Sequence, residues 1–247
     1  MASSSRNVAL QALATLALAG APLYWLQGRH VRRKTPHLDE APGERSGSVA
    51  GPEAVMRIAG LGESPMAAVG LADQAESVVP RLAAEVASRR NRGVDWQTAA
   101  RSGATIDFTR TRLLPLLDAD PTDVVIVALG VNDCLRLSSV RRWRVELARL
   151  IDAIRSRLEP GRIVLAGVPP MQHFPALPIP LSAMLGLRAT LLDAATRQFA
   201  ESEDDVLHAP MNFVEHPDGL FCRDGFHPNA RAHALWARQL ADLLNTP

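Results

Sequence analysis

The chain has 247 residues, 47% apolar and 21% charged, enough for one large domain or two small ones of ordinary globular composition. A net charge of +1 excludes the global field that would gather nucleic acid or an acidic polymer. Two cysteines, Cys134 and Cys222, are too few for a disulfide scaffold or a four-ligand zinc site.

Val8–Leu26, VALQALATLALAGAPLYWL, is apolar apart from Gln11 and Thr15 and carries no charge. As one helix it would reach across the ~30 Å hydrocarbon core of a bilayer. Tyr24 and Trp25 stand at its C-terminal end, where interfacial aromatics are expected, and the basic GRHVRRK follows. Residues 1–34 therefore read as an uncleaved membrane anchor with a basic flank. A cleavable signal peptide is the alternative, with Ala19–Ala21 as its cleavage site, but Arg6 alone charges the region ahead of the apolar run. A buried helix of the domain is the third reading. Residues 35–54 are rich in Pro, Gly, Ser and charge without an apolar period, and read as a flexible tether. The positive-inside rule puts Arg29–Lys34, and the domain behind them, on the cytoplasmic face. Signal cleavage would instead give a secreted or periplasmic protein.

From residue 55 to 247 short β-branched runs alternate with long helical stretches. AVMRIAGL is a strand. Asp73–Arg90 is a helix in which Pro80 is placed to make a kink. VDWQTAA is a less apolar strand, and Ile106–Leu117 a helix. DVVIVALG (Asp123–Gly130) is the clearest buried strand. Ser139–Leu158 is a helix with Trp143, Leu147, Leu150, Ile151, Ile154 and Leu158 on one face. RIVLAGVPP is a fourth strand, Leu181–Glu201 a helix and DVLHAP a fifth strand. Pro228–Leu244 closes the chain as a helix with proline in its first turn. This alternation predicts an α/β protein with a five-stranded parallel sheet covered by helices on both faces.

In such a sheet ligands bind beyond the carboxyl ends of the strands. Gly62, Glu63 and Ser64 follow the first strand, and Ser102 and Gly103 the second. Gly130, Asn132 and Asp133 follow the third, and Asp224 and His227 lie in a loop beyond the fifth. One rim would thus hold a serine, glycine backbone, an asparagine amide and an Asp/His pair, the set that acyl transfer needs. The backbone N–H groups of Ser64 and Gly103 and the amide of Asn132 are candidate oxyanion donors. Asp224 and His227, three residues apart on a tight turn, can face the same way, and Pro228 fixes the chain just past them. Ser64 alone is equally a helix N-cap, with Pro65 suited to the first helical position. GLGESP lacks the third glycine of a dinucleotide fingerprint, and Met66 breaks the G-x-S-x-G elbow of the α/β-hydrolases. Cys134 and Cys222 flank these residues, and their pairing is a candidate disulfide that a cytoplasmic location would oppose.

The blocks GES, SGAT, GVND and DGFH, in this order and at these distances, resemble the SGNH, or GDSL-like, hydrolases from Val55 to about Leu244. The resemblance implies a flavodoxin-like three-layer α/β/α sandwich and a serine esterase or lipase without metal or cofactor. It implies Ser64 as nucleophile, Asp224 as orienter, His227 as base, and Ser64, Gly103 and Asn132 as the oxyanion hole. Glu63 departs from the aspartate usual before the serine. The function expected is a membrane-tethered esterase acting on a small-molecule or lipid ester. An acyltransferase on the same site and a non-catalytic binding module are the alternatives. Residues 172–182, QHFPALPIPLS, suggest an apolar wall or lid.

Overall fold

Between Val124 and Ala128 every side chain is buried, as in a strand covered on both faces. The computed structural model, which describes residues 20–211 and 218–245, places this run inside a six-stranded sheet. In chain order the elements begin with helix α1 (Ala21–Lys34) and strands β1 (Ser46–Val49) and β2 (Glu53–Gly62). Helix α2 (Val78–Arg90) leads to β3 (Arg92–Ala100), the one-turn helix α3 (Ile106–Phe108) and β4 (Val124–Ala128). The short α4 (Val131–Leu135) and the long α5 (Val140–Leu158) precede β5 (Arg162–Ala166). Helix α6 (Leu181–Ala200), β6 (Val206–Ala209) and α7 (Ala230–Asn245) complete the chain.

The sheet order is β1-β3-β2-β4-β5-β6, parallel from β3 to β6. Helices α2 and α7 cover one face through Val79, Leu82, Val86, Trp236 and Leu240. Helices α5 and α6 cover the other through Leu147, Leu150, Ile154, Leu185 and Leu192. Three layers result, as expected, and all five strands read from the apolar runs are present. Every parallel strand ends at the same edge of the sheet, which collects the loops of interest there.

The sixth strand corrects the sequence reading. β1 lies in residues 35–54, expected to be a free tether, and pairs antiparallel with β3 from Ser46 opposite Gln97 to Val49 opposite Val94. Ahead of it Ala41 is buried, and the Gln74 side chain donates to the carbonyls of Ala41 and Ala67 at 2.9 and 3.1 Å. Backbone pairing and polar clamps hold this segment, so it shows no apolar period.

The apolar N-terminal run is also read differently. Val8–Ala19 lies outside the described residues. Ala21–Leu26 opens α1, which continues through the basic residues to Lys34, and no described helix is long and apolar enough to cross a membrane. α1 docks on the domain through Tyr24, Gln27 and Val31, at helical spacing. Tyr24 and Val31 pack on the α5/α6 core, Gln27 Nε2 donates to Ile179 O at 2.8 Å, and Gln27 Oε1 accepts from Leu181 N at 3.1 Å.

Smaller differences have local causes. Pro80 is the third residue of α2, where no intrahelical N–H bond is needed, so no kink forms. Ile106–Leu116 passes from an α turn through a wider π turn to a tight 3₁₀ turn that contains Pro115. α7 starts after Asn229, whose Oδ1 caps it by accepting from Arg231 N and Ala232 N at 3.0 and 3.1 Å, so Pro228 stands outside the helix.

Candidate active site

β2 delivers Glu63 and Ser64 to the carboxyl edge of the sheet. The chain then closes a turn, with Ala67 N donating to Glu63 O and Val69 N to Ser64 O, both at 3.1 Å. No regular helix follows, so Ser64 is not a helix cap. It is 7% exposed and lines a small apolar pocket with Pro169, Phe174, Phe221, Phe226 and His227. Its backbone N–H has no acceptor among the described residues.

β3 ends at Ala100 and Arg101–Ala104 turn back over the edge. Gly103 has φ +79°, a conformation other residues rarely adopt, and a Cβ there would meet nothing within 4 Å. Its N–H likewise finds no acceptor among the described residues. The turn is held from outside the sheet. Ser102 N donates to Glu40 Oε1 at 2.7 Å, while Arg45 donates to Glu40 Oε2 and to Ala100 O, both at 2.6 Å. Glu40 and Arg45 belong to the segment read as a tether. No periodicity or motif in the sequence marks this pair.

Asn132 sits in α4, beyond β4. Its amide nitrogen donates to Glu63 Oε2 and, at 3.0 Å, to Ala104 O. Both amide hydrogens are thus engaged, which differs from the expectation of a free third oxyanion donor. Glu63 also accepts Val131 N and Asn132 N, each at 2.9 Å. One buried carboxyl therefore ties the Ser64 turn to the start of α4. Burial pushes its pKa up to about 8, against the pull of those N–H donors, with the neighbouring Asp133 adding to the rise. The longer side chain of glutamate is accommodated because it reaches this N-terminus. Asp133 itself accepts from Ile106 N at 3.0 Å and from the Ser138 hydroxyl at 3.1 Å, a bracing role.

Asp224 and His227 form a closed turn in which Cys222 N donates to His227 O at 2.7 Å. His227 Nδ1 lies 2.6 Å from Asp224 Oδ2, and Asp224 Oδ1 accepts Phe226 N and His227 N at 2.9 and 3.0 Å. Burial opposes the charge on Asp224, but the hydrogen bonds from the His227 ring and the two N–H groups prevail and hold its pKa below the usual carboxylate value. With Nδ1 on the carboxylate, Nε2 is the nitrogen left to exchange a proton. His227 borders the same pocket as Ser64.

A second Asp/His pair escaped the sequence reading. His208 Nε2 lies 2.9 Å from Asp193 Oδ1, which also accepts Val168 N at 2.9 Å. Neither residue lines the Ser64 pocket, and the pair staples β6 and the end of β5 to α6.

Cys134 and Cys222 are free thiols, which corrects the candidate disulfide. Cys134 faces the α5/α6 core, where burial pushes its pKa up to about 12. The Cys222 sulfur faces the carbonyls of Gly70 and Pro228 at 3.6 and 3.5 Å. Sequence proximity to neighbouring site residues does not align their side chains.

Comparison with known proteins agrees with this architecture. Residues 60–235 match the GDSL-like lipase/acylhydrolase family. A GDSL-like esterase of Mycobacterium tuberculosis is 27% identical over 192 residues, or 74% of this chain, and the chain spans 59% of that relative's length. Among solved structures, the psychrotrophic esterase EstA from Pseudoalteromonas sp. is 22% identical with a TM-score of 0.59, over 76% of this chain and 96% of its own. A family 3 carbohydrate esterase of Clostridium thermocellum is 16% identical with a TM-score of 0.60, over 76% and 94%. These structures share the fold. The family match runs from the strand that presents Ser64 into the helix behind His227, and the chain belongs to the GDSL-like lipase/acylhydrolase family.

Proposed function

We propose that this protein is a serine esterase that hydrolyses carboxylic esters through an acyl-enzyme. The observation that carries the reading is the Asp224–His227 pair on the same apolar pocket as Ser64. Ser64 Oγ attacks the ester carbonyl carbon while His227 Nε2 takes its proton. Asp224 holds the ring by Nδ1 and stabilises the imidazolium that results. The carbonyl π pair moves to oxygen, where the N–H groups of Ser64 and Gly103 receive the developing charge. Collapse expels the alkoxide, which takes the proton from His227 and leaves as the alcohol. Water then attacks the Ser64 acyl ester by the same route and releases the acid. Asn132 becomes a third donor when its amide turns from Ala104 O or Glu63 to the oxyanion. Catalytic hydrogen bonds commonly tighten only when substrate is present.

A fluorophosphonate probe and p-nitrophenyl butyrate test the proposal. Wild type is expected to label covalently and to turn over the ester, and Ser64→Ala to do neither while melting as wild type does. A folded wild type that neither labels nor hydrolyses any ester would leave a binding module with this fold.

A further inference from the structure

Beyond the small pocket at Ser64, a groove of about 1010 Å³ opens from the catalytic edge. It is lined by Ser102, Asn132 and His227 of the site and by Tyr24, Trp25 and Gly28 of α1. Leu177, and Leu181 and Met184 at the start of α6, add apolar lining. Besides Asp224, its charged lining includes the exposed Arg29 and Arg32 of α1 and Arg136 just past α4, long side chains with apolar stems, and the Arg29 guanidinium stacks over the Trp25 ring.

We infer that α1, upstream of the family-matched residues, is a wall of the substrate site, and that the groove it closes holds a long aliphatic acyl chain. This rests on the esterase reading above. His227 lines both this groove and the Ser64 pocket, so an ester attacked by Ser64 has the groove within reach of its acyl chain, and the groove's apolar side chains suit an aliphatic one.

Gly28 gives the second observation. It lies inside the 14-residue α1, where glycine disfavours the helix, and no turn requires it there. A Cβ at Gly28 would meet nothing within 4 Å, so no close packing requires glycine either. What its missing side chain does is keep the groove wall low. The adjacent Gln27 fixes α1 to Ile179 and Leu181, so the wall stands at a set distance from the α6 side.

The test is the acyl-length profile of p-nitrophenyl esters, from acetate to decanoate, for the full chain and for Gly28→Ala and Gly28→Leu. Wild-type kcat/KM is expected to rise with length by up to about fourfold per buried methylene until the groove is filled. Gly28→Leu is expected to cut kcat/KM for decanoate about tenfold while leaving butyrate within about twofold. Gly28→Ala, one methyl in open space, is expected to keep most of the decanoate rate. Both substitutions favour the helix, so unfolding does not mimic the effect. An unchanged profile in Gly28→Leu, an equal loss on all esters, or a wild-type rate that falls with length would overturn the inference. Because butyrate turnover reports the Ser64 chemistry separately, a failure of the groove assignment is distinct from a failure of the esterase reading.

Discussion

Glu63 precedes Ser64 with its carboxyl buried, and its pKa is raised from 4.5 to about 8. Between those values the unfolded chain has released the proton and the native chain keeps it. The native state binds more protons, so stability falls as pH rises through the window and is level above it. His233 works the other way. Buried near Arg81, it is pushed from 6.5 down to about 3, so only the unfolded chain protonates it and stability rises with pH up to 6.5. The two slopes oppose below pH 6.5, and Glu63 stands out above it. Urea unfolding is expected to show about 2 kcal/mol less stability at pH 8 than at pH 6.5, with Glu63→Gln flattening this slope. An equal slope in the variant would locate the titration elsewhere. At this scale the sequence was most legible where spacing within a loop fixes geometry. Asp224 and His227 are three residues apart and do meet, and Ser64 borders the same pocket. The engaged state of Asn132 was hidden because it depends on a carboxyl group 69 residues away.

The turn that carries Gly103 depends on partners far away in sequence. Glu40 receives Ser102 N–H, and Arg45 bridges Glu40 to Ala100 O. Arg45→Ala is expected to free both acceptors and let the turn wander. Under the proposed mechanism kcat for butyrate falls about tenfold with little change in KM, because Gly103 N–H acts on the transition state rather than on bound ester. A loss confined to KM would argue against that role. Elements with apolar periodicity were legible: α5 begins at its Ser139 cap and ends with Glu159 in the left-handed conformation, close to the limits read from its sequence. β1 and α1 were not. SGSV carries the signal of neither strand nor core, because an edge strand is held by its ladder. The docking residues Tyr24, Gln27 and Val31 lie partly inside an apolar run whose uniform hydropathy masks their period.

Over the whole molecule the parallel arrangement was legible because strands buried on both faces must be apolar throughout, as β4 is. What hydropathy leaves out is the layer wrapped around that frame: residues 35–54 and α1, joined to it by main-chain pairing and polar clamps. β1 has a consequence for how the chain can be shortened. It covers the outer side of β3, and both lie at one end of the sheet. A recombinant protein begun at residue 55, just ahead of the family match, would leave β3 with a bare row of amide and carbonyl groups, a template for pairing with another copy. Size-exclusion chromatography is expected to show that trimmed protein forming oligomers or aggregates under conditions where the full chain elutes as a discrete species. A discrete, monodisperse trimmed protein would mean that the SGSV strand does not protect the margin of the sheet against self-association.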